Sequence, residues 1–212
     1  MYNLKIFVFF LYFTLFCNAQ DQDAKLFFKD GSTLEGLAKI TADNNIKFRV
    51  TKEDKFDVWS YVELDYVEFY NEDQVFKFKY VYFRHRKEGT LMEVLTEGEI
   101  SLYSKNPGIV DAIFNSDSGL GFGSNRTSIT DVPPNSVLDQ QNSPRLRRNL
   151  YLKKGAELPV LATVSLLRNW KKLMQDYFKD CPTLVRKIQD NEFGSENMIA
   201  MVEFYNDICV GE

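Results

Sequence analysis

Residues 75–103 read VFKFKYVYFRHRKEGTLMEVLTEGEISLY, and this stretch decides the fold. Phe76, Phe78, Tyr80 and Tyr82 fall on alternate positions, as do Met92 with Val94 and Ile100 with Leu102. A period of two belongs to strands with one face turned to a core. Glu97-Gly98 supplies a tight turn, so 91–96 and 99–103 are expected to pair as neighbouring strands.

The alternation continues upstream. The segments 25–28 and 33–40 flank Lys29-Asp30-Gly31-Ser32, and Asp-Gly provides the positive φ that a hairpin turn requires. Leu34, Gly36, Ala38 and Ile40 share one face, with Gly36 marking a bulge or a place where another backbone comes close. Ile46, Phe48 and Val50 are expected to face inward and Lys47 and Arg49 to face water. Between 58 and 70 the phase changes: Val62 and Leu64 have one parity, Val67 and Phe69 the other, which places a bulge near Asp65. About eight short strands with polar turns between them imply an antiparallel sheet that curls toward a barrel or sandwich.

Downstream, 104–149 is rich in Gly, Ser, Asn, Asp and Pro, includes GLGFG at 119–123, and carries no sustained period. It reads as a flexible low-complexity loop. A strand at 150–152 is expected to return to the sheet. From Ser165 the period becomes helical, with Leu166, Leu167, Trp170, Leu173, Met174, Tyr177 and Phe178 on one stripe. Pro182 opens a second helix that buries Leu184, Val185 and Ile188; Gly194 closes it, and Ser195 caps a third in which Met198, Val202, Tyr205 and Cys209 share a face. The expected class is α+β: an N-terminal antiparallel β-sheet over 20–103, curled into a partial barrel, the loop 104–149, and at 150–212 a returning strand with a C-terminal lobe of three helices.

Residues 1–19 bear on compartment. MYNLK carries one positive charge, IFVFFLYFTLF is an eleven-residue apolar run, and Cys17-Asn18-Ala19 ends on small residues. These are the parts of a signal peptide, with cleavage expected after Ala19. A membrane anchor would need roughly 20 apolar residues, and bulky Phe16 disfavours lipidation at Cys17. The mature chain is therefore expected to be exported, periplasmic or extracellular, without a transmembrane span. Its remaining cysteines, Cys181 and Cys209, form an even pair in an oxidising compartment and are expected to be bonded; two separate buried thiols are the alternative.

DGSTLEGLAKI with IKFR, LMEVLTEGEISLY, and YFKDCPTLVRKI followed by VEFYNDIC resemble a layout that recurs in secreted proteins of unknown function from Bacteroidetes-type bacteria. The resemblance covers most of the mature chain except the 104–149 loop. It implies fold and export, and it carries over no functional residue.

Net charge is −4 and becomes one unit more negative when Lys5 leaves with the leader, which argues against general nucleic-acid binding. His85 is the only histidine and lies between Arg84 and Arg86 near a strand end; neither a catalytic triad nor a histidine-based zinc site can be assembled around it. The glycines at 119–123 lack the strand, helix and Gly-Lys-Ser/Thr context of a phosphate loop. No metal, cofactor or catalytic residue is expected. Glu93, Glu97 and Glu99 cluster around one turn and are the residues a glycan-active hydrolase would use. Arg145, Arg147, Arg148, Lys153 and Lys154 form a basic cluster in an acidic protein and are the candidate partner contact, together with the loop before them. Tyr61, Tyr66, Tyr70 and Tyr103 are the aromatics expected to reach a surface. The leading expectation is an exported non-catalytic β-rich module that contacts another cell-envelope component; the alternatives are a hydrolase built on the three glutamates and a small-ligand carrier.

Overall fold

The computed structural model describes residues 21–71, 74–105, 149–163 and 169–210. The leader, most of the 104–149 loop and the start of the first expected helix lie outside these ranges. The described strands form one ten-stranded antiparallel sheet in the order β10-β9-β8-β7-β6-β5-β1-β2-β3-β4. Their bounds are β1 Gln22–Phe28, β2 Thr33–Ile40, β3 Ile46–Arg49, β4 Asp57–Trp59, β5 Leu64–Asn71, β6 Gln74–Val81, β7 Thr90–Thr96, β8 Ile100–Lys105, β9 Asn149–Lys154 and β10 Val160–Leu161. Successive strands are antiparallel neighbours, joined by short connections except between β8 and β9, which residues 106–148 separate in sequence, and except that β5 returns to the free side of β1. The first strand thus ends up inside an open sheet whose two ends are β4 and β10.

The phase change at 62–69 has the expected origin. Phe27 pairs with Tyr66 but Phe28 pairs with Leu64, leaving Asp65 as the extra residue of a bulge. Leu64 and Val67 can then both be buried although their parity differs. Gly36 is likewise a close-approach position: a Cβ there would lie 2.4 Å from the Arg49 carbonyl oxygen and 2.8 Å from the Phe48 ring.

Expectations about facing fail at several positions, and Tyr82, although it continues the alternation of Phe78 and Tyr80, is exposed. Val50 and Val62 are exposed, because β3 ends at Arg49 and β5 begins at Leu64, so neither valine is held by a ladder. Tyr103 is buried, packed with Val81 and Met92 on the face of the sheet opposite Leu102. β7 is covered on both faces over Thr90, Leu91, Met92 and Glu93, as befits a strand inside the sheet. β9 is longer than the expected 150–152, and β10 went unread because two residues carry no period.

The C-terminal helices are α1 Trp170–Tyr177, α2 Pro182–Gln189 and α3 Met198–Phe204, the last preceded by a tight turn at Ser195–Asn197 and continued by a wider one at Tyr205–Cys209. The Asn169 side chain accepts from the Lys172 amide at the start of α1, and Pro182 occupies the first turn of α2, where its missing N–H is no loss. Their apolar faces cover β8 and β9: Met174, Phe178, Leu184, Ile188, Met201 and Val202 pack with Ile100, Leu102 and Leu152. Cys181 and Cys209 are disulfide-bonded, with Cα atoms 5.6 Å apart. A second cluster lies among the N-terminal strands, where Leu26, Ala38, Ile46, Phe48, Leu64, Val67, Phe69 and Phe78 are all buried. There the Tyr80 hydroxyl on β6 donates to the Asn44 carbonyl in the β2–β3 turn at 2.9 Å. Burial holds the Tyr80 phenol well above its ordinary pKa, so it stays a donor.

Candidate functional site

The connection between β6 and β7, residues 82–89, has Arg84, His85, Arg86, Lys87 and Glu88 in succession, all exposed. A run with no apolar residue cannot bury itself, so it stands on the surface between two better-packed strands. Gly89 brings it back to the sheet by passing close over Tyr80: a Cβ there would lie 2.9 Å from the Tyr80 Cβ.

On one side of this connection is a cleft of about 520 Å³. Its lining comes from four places in strand order. Phe83, Arg84, His85 and Arg86 belong to the β6–β7 connection, Lys105 ends β8, Tyr151 lies on β9, and Leu158, Pro159 and Val160 lead into β10. Phe83 and Tyr151 meet edge to face with ring centroids 5.3 Å apart. Among the described residues no carboxylate pairs with Arg84, Arg86 or Lys105. Some cations elsewhere are neutralised at short range, Lys25 by Glu35 at 2.7 Å, Arg49 by Asp21, Lys77 by Glu97 at 2.5 Å and Lys187 by Glu192 at 2.5 Å, while others, such as Lys47, Lys171 and Arg186, form no ion pair among the described residues. The cleft therefore combines an apolar floor with cations that form no ion pair among the described residues.

On the other side of the connection is a more polar cleft of about 670 Å³, lined by Asp43, Asn44, Asn45, Ser60, Tyr61, Val62 and residues 86–90. Many of its polar groups already have structural work. Asp43 accepts from Thr41 and, at 2.7 Å, from Asn45; Ser60 donates to Glu63 at 2.8 Å; the Val62 carbonyl accepts from Lys29 at 3.1 Å. Hydrogen bonding from Thr41 holds the Asp43 carboxyl below its ordinary pKa, and Ser60 does the same for Glu63. These groups hold turns in place.

The sequence candidates fall out as follows. Glu93, Glu97 and Glu99 do not converge. Glu93 pairs in register with Phe78, is buried and faces the Phe78 side of the sheet, whereas Glu97 is bound to Lys77 and Glu99 is exposed at the turn. Because Lys77 and Phe78 are adjacent on β6, their side chains leave opposite faces, and Glu93 and Glu97 are separated by the sheet itself. Arg145, Arg147 and Arg148 lie outside the described residues. Lys153 and Lys154 are adjacent on β9 and so also face opposite ways. Lys153 donates to the Gly155 carbonyl. Lys154 is engaged with the Asp180 carboxylate and with the Tyr205 hydroxyl at 2.6 Å, tying β9 to the helices. Tyr61, Tyr66 and Tyr70 are half-buried. Among the described residues no group of three His, Cys, Asp or Glu side chains is placed to hold a metal ion, and no helix is long and apolar enough to cross a membrane.

The sequence places His85 between two arginines near a strand end. The signal was present in Arg84, Arg86 and Lys87 around it, directly after Phe83. Nothing in the sequence linked that run to Lys105, Tyr151 or 158–160, which only strand order brings together. No family model, curated protein or solved structure matches the chain.

Proposed function

We propose that the chain is an exported, non-catalytic recognition module that acts by contacting another component of the cell envelope, and that it does so through the cleft between the β6–β7 connection and β10. The single observation behind this reading is that Arg84, Arg86 and Lys105 come together around a Phe83–Tyr151 floor with no carboxylate partner among the described residues. Cations beside apolar surface suit a partner that neutralises one and covers the other. Export rests on the 1–19 leader, and it agrees with the Cys181–Cys209 bond, which persists in oxidising compartments. The curled N-terminal strands, read as a partial barrel, have an interior filled by Phe48, Phe69 and Phe78, which disfavours a carrier with its ligand inside. The separation of Glu93 from Glu97 disfavours a hydrolase that needs two acids across one bond.

Site-specific photo-cross-linking in the native cell tests the reading. A cross-linker at Leu158 should capture a specific envelope component, and Arg84→Glu with Arg86→Glu should abolish capture. A cross-linker at Val58, exposed on β4 at the other end of the sheet, serves as the control. Equal capture from both positions, or none from Leu158, removes the cleft as the contact surface.

A further inference from the structure

The lining of the 520 Å³ cleft is divided by chemistry. Its cations come from the β6–β7 connection and the end of β8; its apolar side comes from Leu158, Pro159 and Val160 at the β10 end of the sheet, with Leu158 exposed. Tyr151 on β9 lies between the two groups in strand order. The volume lies within the ~300–1,000 Å³ range of small-molecule sites. A purely apolar ligand would leave Arg84, Arg86 and Lys105 desolvated without a counter-charge, and a bare inorganic anion would leave the Leu158–Val160 side covered by nothing. A ligand that satisfies both sides has an anionic head and an apolar body. Arginine suits the head, because its planar fork of donors matches the oxygens of carboxylate and phosphate.

We propose that this cleft binds an anionic amphiphile, one carboxylate or phosphate group joined to an apolar chain or ring. This identification rests on the cleft being the recognition surface. The same chemistry is offered by a free organic acid and by the headgroup region of an anionic lipid.

Calorimetric titration of the mature, oxidised protein with octanoate, octyl phosphate, 1-octanol and inorganic phosphate tests it, with co-sedimentation on phosphatidylglycerol and phosphatidylcholine vesicles as a second arm. Octanoate and octyl phosphate should bind one to one and more weakly as salt rises, while 1-octanol and inorganic phosphate bind roughly tenfold or more weakly, the loss expected for one charge-assisted contact or two to three buried methylenes. Arg84→Glu/Arg86→Glu should remove octanoate binding without moving the melting temperature, and Leu158→Asp should weaken it. Vesicle binding in addition, selective for phosphatidylglycerol and competed by octanoate, identifies the lipid as the source; soluble binding alone identifies a free acid. Equal affinity for octanoate and 1-octanol, equal affinity for octyl phosphate and phosphate, or binding indifferent to both variants overturns the proposal. Sedimentation on anionic vesicles with no soluble binding also overturns it, in favour of general surface attraction. A cross-link from Leu158 to an envelope protein with no amphiphile bound leaves the recognition surface standing and removes only this ligand class.

Discussion

Asn206 replaces a strand partner with a side chain. Its carboxamide accepts from the Ile100 amide at 2.9 Å and donates to the Ile100 carbonyl at 2.8 Å, closing the same pair of bonds that an added strand would make. Asn206→Ala should therefore lower stability by about 1–3 kcal/mol, since it leaves two backbone groups without partners, and urea unfolding would measure it. Gly36→Ala should cost about 1–3 kcal/mol by overpacking against the Arg49 carbonyl, with an unchanged result showing that β3 can shift. Lys154, Asp180 and Tyr205 carry the clearest pH dependence. Burial opposes ionisation of Asp180, but bonds from Lys154 and Tyr205 outweigh it and hold the carboxyl below its ordinary 3.8. The Asp180 contribution is thus present above that value and lost as pH falls through the lower folded one. Tyr205 is shifted upward, by burial first and then by its bond to Asp180, so its contribution holds below 10.0 and fades as pH rises through the folded value. Asp180→Asn should cost about 1 kcal/mol near neutral pH, a modest figure for a partly exposed pair. The difference from the parent should shrink well below pH 3.8, and denaturant midpoints at the two pH values would show whether it does.

At the scale of elements, the helices hold to the sheet by the apolar cluster over β8 and β9 and by the Asn206–Ile100 and Asp180–Lys154 contacts, while the disulfide ties the helical segment to itself. The disulfide joins the residue before α2 to the end of the turn after α3, positions 28 apart in sequence. On the chain-entropy model this cross-link is worth about 3.5 kcal/mol. Cys181→Ser with Cys209→Ser should lower the stability of the oxidised protein by about that much, and a loss under 1 kcal/mol would mean that the remaining attachments already restrict the unfolded chain. Alternation was enough to find β1, β2, β6, β7 and β8, and the parity change at Leu64 and Val67 was enough to find the bulge. It could not find that Tyr103 is buried, because burial on the second face depends on what Val81 and Met92 bring beside it.

For the whole molecule, the two main clusters meet at β7, where Leu91 packs with the N-terminal strands and Leu95 with the helical cluster. A shared central strand should couple their unfolding. Phe48→Ala and Met174→Ala, one in each cluster, should each lower a single transition by about 2–5 kcal/mol. Two separable transitions in calorimetry, each sensitive to one variant, would show instead that the halves fold independently.

The sequence by itself determined the antiparallel strands, the bulge near Asp65 and the C-terminal helices, and it narrowed Gly36 to a bulge or a close approach. Each of these is a local property, a period, a cap or a parity, that a short window can hold. Only the tertiary structure decided that Glu93 and Glu97 are divided by the sheet, that Lys154 is used internally, and that the run at 84–86 shares a cleft with Lys105, Tyr151 and Leu158. Those outcomes depend on strand order, which places residues far apart in the chain side by side and sends adjacent ones to opposite faces.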